Sequence, residues 1–197
     1  MAHLDRKALV YIAVFGTFWG LLEASLGSVL HALRIPFSGS ILSALGLIIL
    51  LTARTVNNVR GSSALMGLIA ATIKVLGFAT IKLGPFVGIT MEGLIVEIVM
   101  SGMGIGLPGF LLAGLLVGIY PIVQTVVTKS ILFGANFVPV ILETAQGFSD
   151  SVGLALGWWL LALYIIIHLI LGLTAAVTAW LIRKRIRLAF EHGNAAK

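Results

Sequence analysis

Long apolar runs with almost no charged residues dominate this chain and restrict what it can fold into. Of its 197 residues, 59% are hydrophobic and 10% are charged, whereas a soluble domain carries about 25% charged residues. So few charges cannot cover the surface of a globular protein in water, but they suit a protein whose solvent is lipid. The composition therefore predicts an all-α integral membrane protein, surrounded by a lipid bilayer.

The lengths of the apolar runs indicate how many helices cross the membrane. About 20 helical residues span the hydrocarbon core of a bilayer, and on this basis we predict one transmembrane domain over residues 1–197 with about six spans. The predicted spans are approximately 8–30, 38–52, 64–81, 86–103, 110–127 and 152–182. The segment 128–151 is moderately apolar but carries Lys129, Pro139, Glu143 and Asp150. We expect an interfacial or re-entrant segment there, rather than a seventh span.

The basic residues predict the orientation. The net charge is +6, but the basic residues lie at the ends of apolar runs, which is typical of membrane orientation and not of a nucleic-acid-binding surface. With six spans, the side of the termini would hold Arg6, Lys7, Arg54, Arg60, Arg183, Lys184, Arg185, Arg187 and Lys197. The opposite side would hold Arg34, Lys82 and Lys129. Since Lys and Arg are enriched on the cytoplasmic side, we predict a multi-pass protein of the cell membrane with both termini in the cytoplasm.

Charged residues inside the predicted spans are the strongest candidates for a functional site. Glu23, Lys74, Glu92 and Glu97 are such residues, and each costs about 2.5–3.5 kcal/mol near a helix centre. Counting along the helices places Glu23, Lys74 and Glu92 at one level near the outer face, where we expect them to bind a substrate. The alternative is a structural ion pair of Lys74 with one carboxylate, which leaves the other carboxylate unexplained.

Three uncharged residues are further candidates for substrate binding. Trp19 stands four residues before Glu23, on the same helical face, and an indole beside a carboxylate suits an aromatic, partly cationic ligand. Tyr120 and Gln124 are one turn apart on the fifth predicted span and are spaced to line a cavity. His168 lies in a run of Ile and Leu, where we expect it to be hydrogen-bonded to a neighbouring helix.

Small residues recur along the first predicted span. Gly16, Gly20 and Ala24 follow each other at four-residue spacing, which forms a smooth stripe that lets helix backbones approach closely. Two interpretations are open: packing inside this chain's own bundle, or docking of another membrane subunit.

Signatures of soluble enzymes are missing from the sequence. It contains no HExxH, no GxSxG, no Walker A motif and no cysteine. The GxGxxG match at 104–109 joins two apolar spans and contains Pro108, so it predicts a turn and not a dinucleotide fingerprint. We therefore expect no enzyme activity, no catalytic residue, no cofactor and no metal site. Active transport would need a partner or an ion gradient.

The chain resembles the substrate-binding S components of energy-coupling-factor (ECF) vitamin transporters. The resemblance rests on the length, the six predicted spans, the cytoplasmic termini, the stripe of Gly16, Gly20 and Ala24, and the Gly/Pro turn at 84–88. It implies binding of a vitamin or related micronutrient near the outer face, for which Glu92 and Tyr120 are suitably placed. It also implies that the stripe docks on a transmembrane coupling subunit, which works with separate ATPase subunits.

Two other functions stay open on the sequence alone. A standalone permease or channel would use the intramembrane Glu and Lys residues as a path for ions or protons. A structural subunit of a larger membrane complex would use them only as internal pairs and would bind no ligand.

Overall fold

The computed structural model describes residues 5–77, 83–133, 137–153 and 158–195. Within these ranges all regular structure is helical, in agreement with the predicted all-α fold. The helices are α1 (Arg6–Ala32), α2 (Ser38–Val56), α3 (Ser62–Leu76), α4 (Leu83–Met103), α5 (Leu107–Phe133), α6 (Phe137–Val152) and α7 (Trp158–Ala195).

Five of these helices, α1, α2, α4, α5 and α7, are long and apolar enough to cross a membrane. Helix α3 is apolar but has 15 residues, which span about 22 Å at 1.5 Å per residue, less than the roughly 30 Å of a hydrocarbon core. The last residues of the predicted span 64–81, namely 78–81, lie outside the described residues. Large apolar side chains lie on the surface of the bundle, as a lipid environment allows. Ile98 and Ile131, for example, are 72% and 76% exposed.

Helix α2 is the centre of the bundle. It contacts α1, α3, α4, α5 and α7, and half of its most apolar stretch is buried, a larger share than in the other long apolar helices. Helix α3 packs between α1 and α4, and α5 packs against α4 and α7. The core therefore lies along α2.

The segment 128–151, predicted to be interfacial or re-entrant, is helical where it is described. Its first residues continue α5 to Phe133, and α6 covers Phe137–Val152. Among the described residues, α6 contacts only α5 and α7. At 16 residues it is shorter than a membrane-spanning helix, and it connects the end of α5 to the start of α7.

Glycine brings α5 and α7 into backbone contact. A Cβ atom added to Gly172 would lie 2.1 Å from the carbonyl oxygen of Gly114. A Cβ atom on Gly118 would lie 2.8 Å from the carbonyl oxygen of His168. No side chain fits at such separations, so the GxxxG pattern of Gly114 and Gly118 provides the surface on which α7 packs.

Candidate ligand-binding site

A cavity of about 450 Å³ opens at one end of the bundle. Its wall includes His31 near the end of α1, Lys74 near the end of α3, Thr128 near the end of α5, and Gly39 and Gly84 near the starts of α2 and α4. The helices α1, α3 and α5 therefore run toward the cavity, and α2 and α4 run away from it. The volume falls within the range of about 300–1,000 Å³ that is usual for small-molecule sites.

Four of the predicted substrate-binding residues line this cavity: Glu23, Lys74, Glu92 and Gln124. They come from α1, α3, α4 and α5. Counting depth along the helices thus brought the three charged residues to the same place as the structure does. Their role in binding a substrate stays a prediction.

Lys74 and Glu23 form an ion pair. Lys74 Nζ lies 2.5 Å from Glu23 Oε2, and both side chains are almost fully buried. A Cβ atom on Gly27 would lie 2.9 Å from Lys74 Nζ, so the ammonium group occupies the space that a side chain at this position would fill. The pair corresponds to the structural alternative for two of the three charges, and Glu92 forms no ion pair with a described residue.

Glu92 is the carboxylate that this ion pair leaves over. Its residue is 6% exposed, and Ser43 donates a hydrogen bond from Oγ to Glu92 Oε1. The second oxygen, Oε2, is buried and has no hydrogen-bond partner among the described residues. A buried acceptor without a partner costs about 1–3 kcal/mol, and more when it is charged. Glu92 is therefore a residue of the cavity wall whose carboxylate is only half satisfied by the described residues.

Gln124 connects the wall of α5 to that of α4. Its Nε2 donates to the carbonyl oxygen of Gly84 over 2.7 Å. A Cβ atom on Gly88 would lie 2.8 Å from Gln124 Oε1, so the glycine leaves room for the amide. The side chain is held in place by its donor group.

Trp19 and Tyr120 do not line the cavity. The Trp19 ring is fully buried against α2, where a Cβ atom on Gly46 would lie 2.4 Å from the indole nitrogen. Trp19 and Glu23 share a helical face, but Trp19 lies one turn earlier, at a level where this face packs against α2. Glu23, further along α1, lies at the cavity. Tyr120 is within electrostatic range of Glu92, but its side chain is outside the wall.

Ser43 is a site residue that the sequence did not indicate. A serine in an apolar helix costs little and is common, so its only distinctive property is the contact with Glu92. Ser40 and Ser43 are both buried in the first turns of α2. In the sequence, the available signal is the pair of serines three residues apart at the start of an apolar helix. Such a pair lies on one helical face, near the level of Glu92.

A second buried charge cluster lies at the opposite end of the bundle. Arg54 is 1% exposed, although the sequence suggested a charge at the membrane surface. Its Nη1 is 3.4 Å from Glu97 Oε2 and donates to Ser62 Oγ over 3.0 Å. The same nitrogen also donates to the carbonyl oxygen of Val59. Arg54 therefore connects the end of α2 to the loop before α3 and to α4.

Both carboxylate oxygens of Glu97 are hydrogen-bonded. Oε1 accepts from the backbone N–H of Gly61 over 2.8 Å and from Ser101 Oγ over 2.5 Å. Oε2 accepts from the backbone N–H of Ser63 over 3.0 Å. These backbone groups belong to the N-terminus of α3, which attracts negative charge. Glu97 thus caps α3 from a neighbouring helix.

The predicted docking stripe packs inside the chain. A Cβ atom on Gly16 would lie 3.1 Å from Ile69 Cβ, and one on Gly20 would lie 2.9 Å from Ile73 Cβ, both on α3. Ala24 Cβ is near Gly77, at the end of α3. Internal packing, one of the two open interpretations, describes Gly16 and Gly20. A partner would have to use another face of α1.

His168 is buried at 2% exposure. Its Nδ1 lies 2.8 Å from the carbonyl oxygen of Tyr164, one turn earlier in its own helix, and its ring meets the ring of Phe37 edge-on. The expected bond to a neighbouring helix is therefore replaced by a bond within α7. In the part of the chain that the structure describes, no group of three or more His, Cys, Asp or Glu residues could hold a metal ion.

Comparisons with models of known families, with curated proteins and with solved structures found no match to this chain.

Proposed function

We propose that this protein is the membrane-embedded substrate-binding subunit of an uptake system for a vitamin or related small micronutrient, and that it works as an S component of the ECF type. The observation that carries the proposal is the cavity of about 450 Å³ whose wall includes Glu92, a carboxylate with one buried oxygen that has no hydrogen-bond partner among the described residues. A charge inside a membrane bundle is expensive and usually functional. A structural role explains the Glu23–Lys74 pair. It does not explain a carboxylate at the cavity wall that has an oxygen without a hydrogen-bond partner among the described residues.

In this proposal α3 crosses the cell membrane in addition to the five long apolar helices, which gives six spans in all. Both termini are then cytoplasmic. The basic residues support this orientation. Asn57 bonds to the carbonyl oxygen of Ala8 over 3.5 Å, which brings the end of α2 to the start of α1, where Arg6 and Lys7 lie. The cavity opens at the other end, so it faces the outside and receives the ligand there.

Transport itself depends on other subunits. The described residues form a compact helical bundle, and the sequence has no Walker A motif, so the energy for release would come from ATPase subunits that act through a transmembrane coupling subunit. This chain would bind the ligand and present it. The Glu23–Lys74 ion pair would hold α1 and α3 together at the level of the site.

A thermal-shift screen of the purified protein in detergent tests the proposal. A vitamin present at 100 times its dissociation constant stabilises the fold by about 2.7 kcal/mol. We expect at least one compound of a vitamin panel to raise the melting temperature of the wild-type protein. The substitution Glu92→Gln should remove the shift, and Glu191→Gln, which changes an exposed carboxylate near the end of α7, should keep it.

Two outcomes would contradict the proposal in different ways. A well-folded sample that no compound stabilises would favour a structural subunit, in which the buried charges serve packing alone. Uptake by proteoliposomes that contain only this chain would favour a standalone permease, since an S component without its partners should show binding but no accumulation.

A further inference from the structure

The charges at the cavity do not balance. Glu23 and Lys74 neutralise each other at 2.5 Å, and Glu92 is the remaining charged residue of the described wall. Glu92 interacts electrostatically with both members of that pair, so the three form one group with a formal charge of −1. This balance is that of the described residues, which do not include Lys82 or the side chain of Lys129.

Hydrogen-bond donors at the wall are mostly occupied. Ser43 donates to Glu92, Gln124 Nε2 donates to Gly84, and Thr125 Oγ1 donates to the carbonyl oxygen of Pro121 over 2.8 Å. His31 Nδ1 lies 2.6 Å from the carbonyl oxygen of Gly27, a geometry in which the ring nitrogen donates. Lys74 Nζ keeps N–H groups beyond the one that bonds to Glu23, but its charge is neutralised by that carboxylate. The Glu92 carboxylate is therefore the charged group of the described wall that is left without an ion pair.

Apart from Thr128, the rest of the described wall is apolar. Leu42, Ile89, Pro85 and Pro121 line it together with glycines. A bare metal cation needs several oxygen ligands at once, and the described residues contain no such group. An organic molecule, by contrast, can bury a hydrocarbon body against these side chains while one polar group reaches Glu92.

We propose that the ligand of this cavity is a small organic cation, whose positively charged nitrogen pairs with the Glu92 carboxylate and whose apolar body lies against Leu42, Ile89 and the prolines. The inference rests on the proposed function, because it assumes that the cavity is the ligand site. It adds the chemical class of the ligand: a positive group completes the charge balance, whereas an anion would meet an unpaired carboxylate.

Matched probes test the class without knowledge of the natural ligand. Benzylammonium, benzyl alcohol and benzoate have similar shapes but are a cation, a neutral molecule and an anion, respectively. Cyclohexylammonium and cyclohexanol repeat the comparison of cation and neutral molecule without an aromatic ring. We expect the two ammonium probes to raise the melting temperature of the wild-type protein at millimolar concentration. The alcohols and benzoate should shift it much less, or not at all.

The substitution Glu92→Gln identifies the residue responsible. Gln retains an oxygen that accepts the bond from Ser43, so the variant should fold, which size-exclusion chromatography verifies. We expect its affinity for benzylammonium to fall about tenfold or more, the equivalent of one lost charged hydrogen bond. Glu191→Gln should bind the probe like the wild-type protein.

The outcomes separate this inference from the proposed function. If the alcohols match the ammonium probes, or if Glu92→Gln binds benzylammonium unchanged, the cation class is wrong. If a neutral or anionic vitamin stabilises the protein and no ammonium probe does, the subunit still binds a micronutrient but the class is again wrong. If neither the vitamin panel nor any probe has an effect, both proposals fail.

Discussion

Two carboxylates on α4 show what separates a structural charge from a candidate ligand-binding charge. Glu92 and Glu97 belong to the same helix, and each accepts a bond from a serine hydroxyl. Glu97 also accepts two backbone N–H groups and faces Arg54, so neither of its oxygens is left open. Glu92 keeps one buried oxygen without a partner among the described residues, beside a cavity. Burial of a charge alone therefore does not distinguish the two carboxylates. The difference between them is the unpartnered oxygen of Glu92 and the cavity beside it, on which the proposed ligand site rests.

The difference also separates two effects on stability. Removing one partner of a saturated buried pair costs about 3–5 kcal/mol, because the charge that remains is buried without compensation. An unsaturated charge opposes folding until something binds it. Four sets of substitutions test this difference between the two ends of the bundle.

The largest loss of stability is expected from Arg54→Met. The substitution leaves Glu97 without its basic partner and the carbonyl oxygen of Val59 without its donor. We expect a loss of about 3–5 kcal/mol, measured as the free energy of unfolding in detergent. Arg54→Lys retains the charge but not the reach to several acceptors, and should lose less. Equal stability of Arg54→Met and the wild-type protein would show that this cluster does not hold the loop.

A smaller loss is expected from Lys74→Met, about 2–3 kcal/mol. It removes the cation from a group with two carboxylates, but the adjoining cavity admits water, which softens the cost. Adding Glu23→Gln to this variant should recover stability, because it removes the carboxylate left unpaired. A double variant that is no more stable than Lys74→Met would contradict an ion pair as the reason for the loss.

Amide substitutions of the two glutamates should act with opposite sign. Glu97→Gln replaces an oxygen that accepts from Ser63 or from Gly61 with an NH₂ group, and we expect a loss of about 2 kcal/mol. Glu92→Gln can keep the Ser43 bond and turn its NH₂ toward the cavity, so the ligand-free protein should gain about 1 kcal/mol. The melting temperatures of the two variants without ligand decide. A loss in both would mean that the second Glu92 oxygen has a partner in the protein.

The smallest effects are expected from the matched pair Ser43→Ala and Ser101→Ala. Ser43 is the one hydrogen-bond donor to Glu92 among the described residues, so its loss should cost about 1–2 kcal/mol. Ser101 supports a carboxylate that retains its backbone donors, and its loss should cost about 0.5 kcal/mol. Thermal unfolding of both variants, side by side, compares their losses of stability. A larger loss for Ser101→Ala than for Ser43→Ala would contradict the view that Glu97 is better satisfied than Glu92.

The apolar runs predicted the helices, and depth counting predicted which charges share a level, because the rise per residue of a helix is constant. Helix rotation did not follow from the sequence. Trp19 turns toward α2, and Gly16 and Gly20 turn toward α3, since each fits a complementary surface that only the packed bundle provides. Arg54 stands next to a polar loop in the sequence, yet its side chain points inward to Glu97. The two residues are far apart in the sequence, and the packing of α2 against α4 brings them together.

The contact between Gly114 and Gly172 has a mechanical consequence. At Gly114 and Gly118 no side chain separates the two main chains, so α5 and α7 are held together at this level. Gln124 follows on the same helix, beyond Pro121, and donates across to Gly84 of α4 at the wall of the cavity. Pro121 removes a hydrogen bond from the helix between the glycine contact and Gln124, so we expect the cavity end of α5 to bend more easily than the part that is joined to α7.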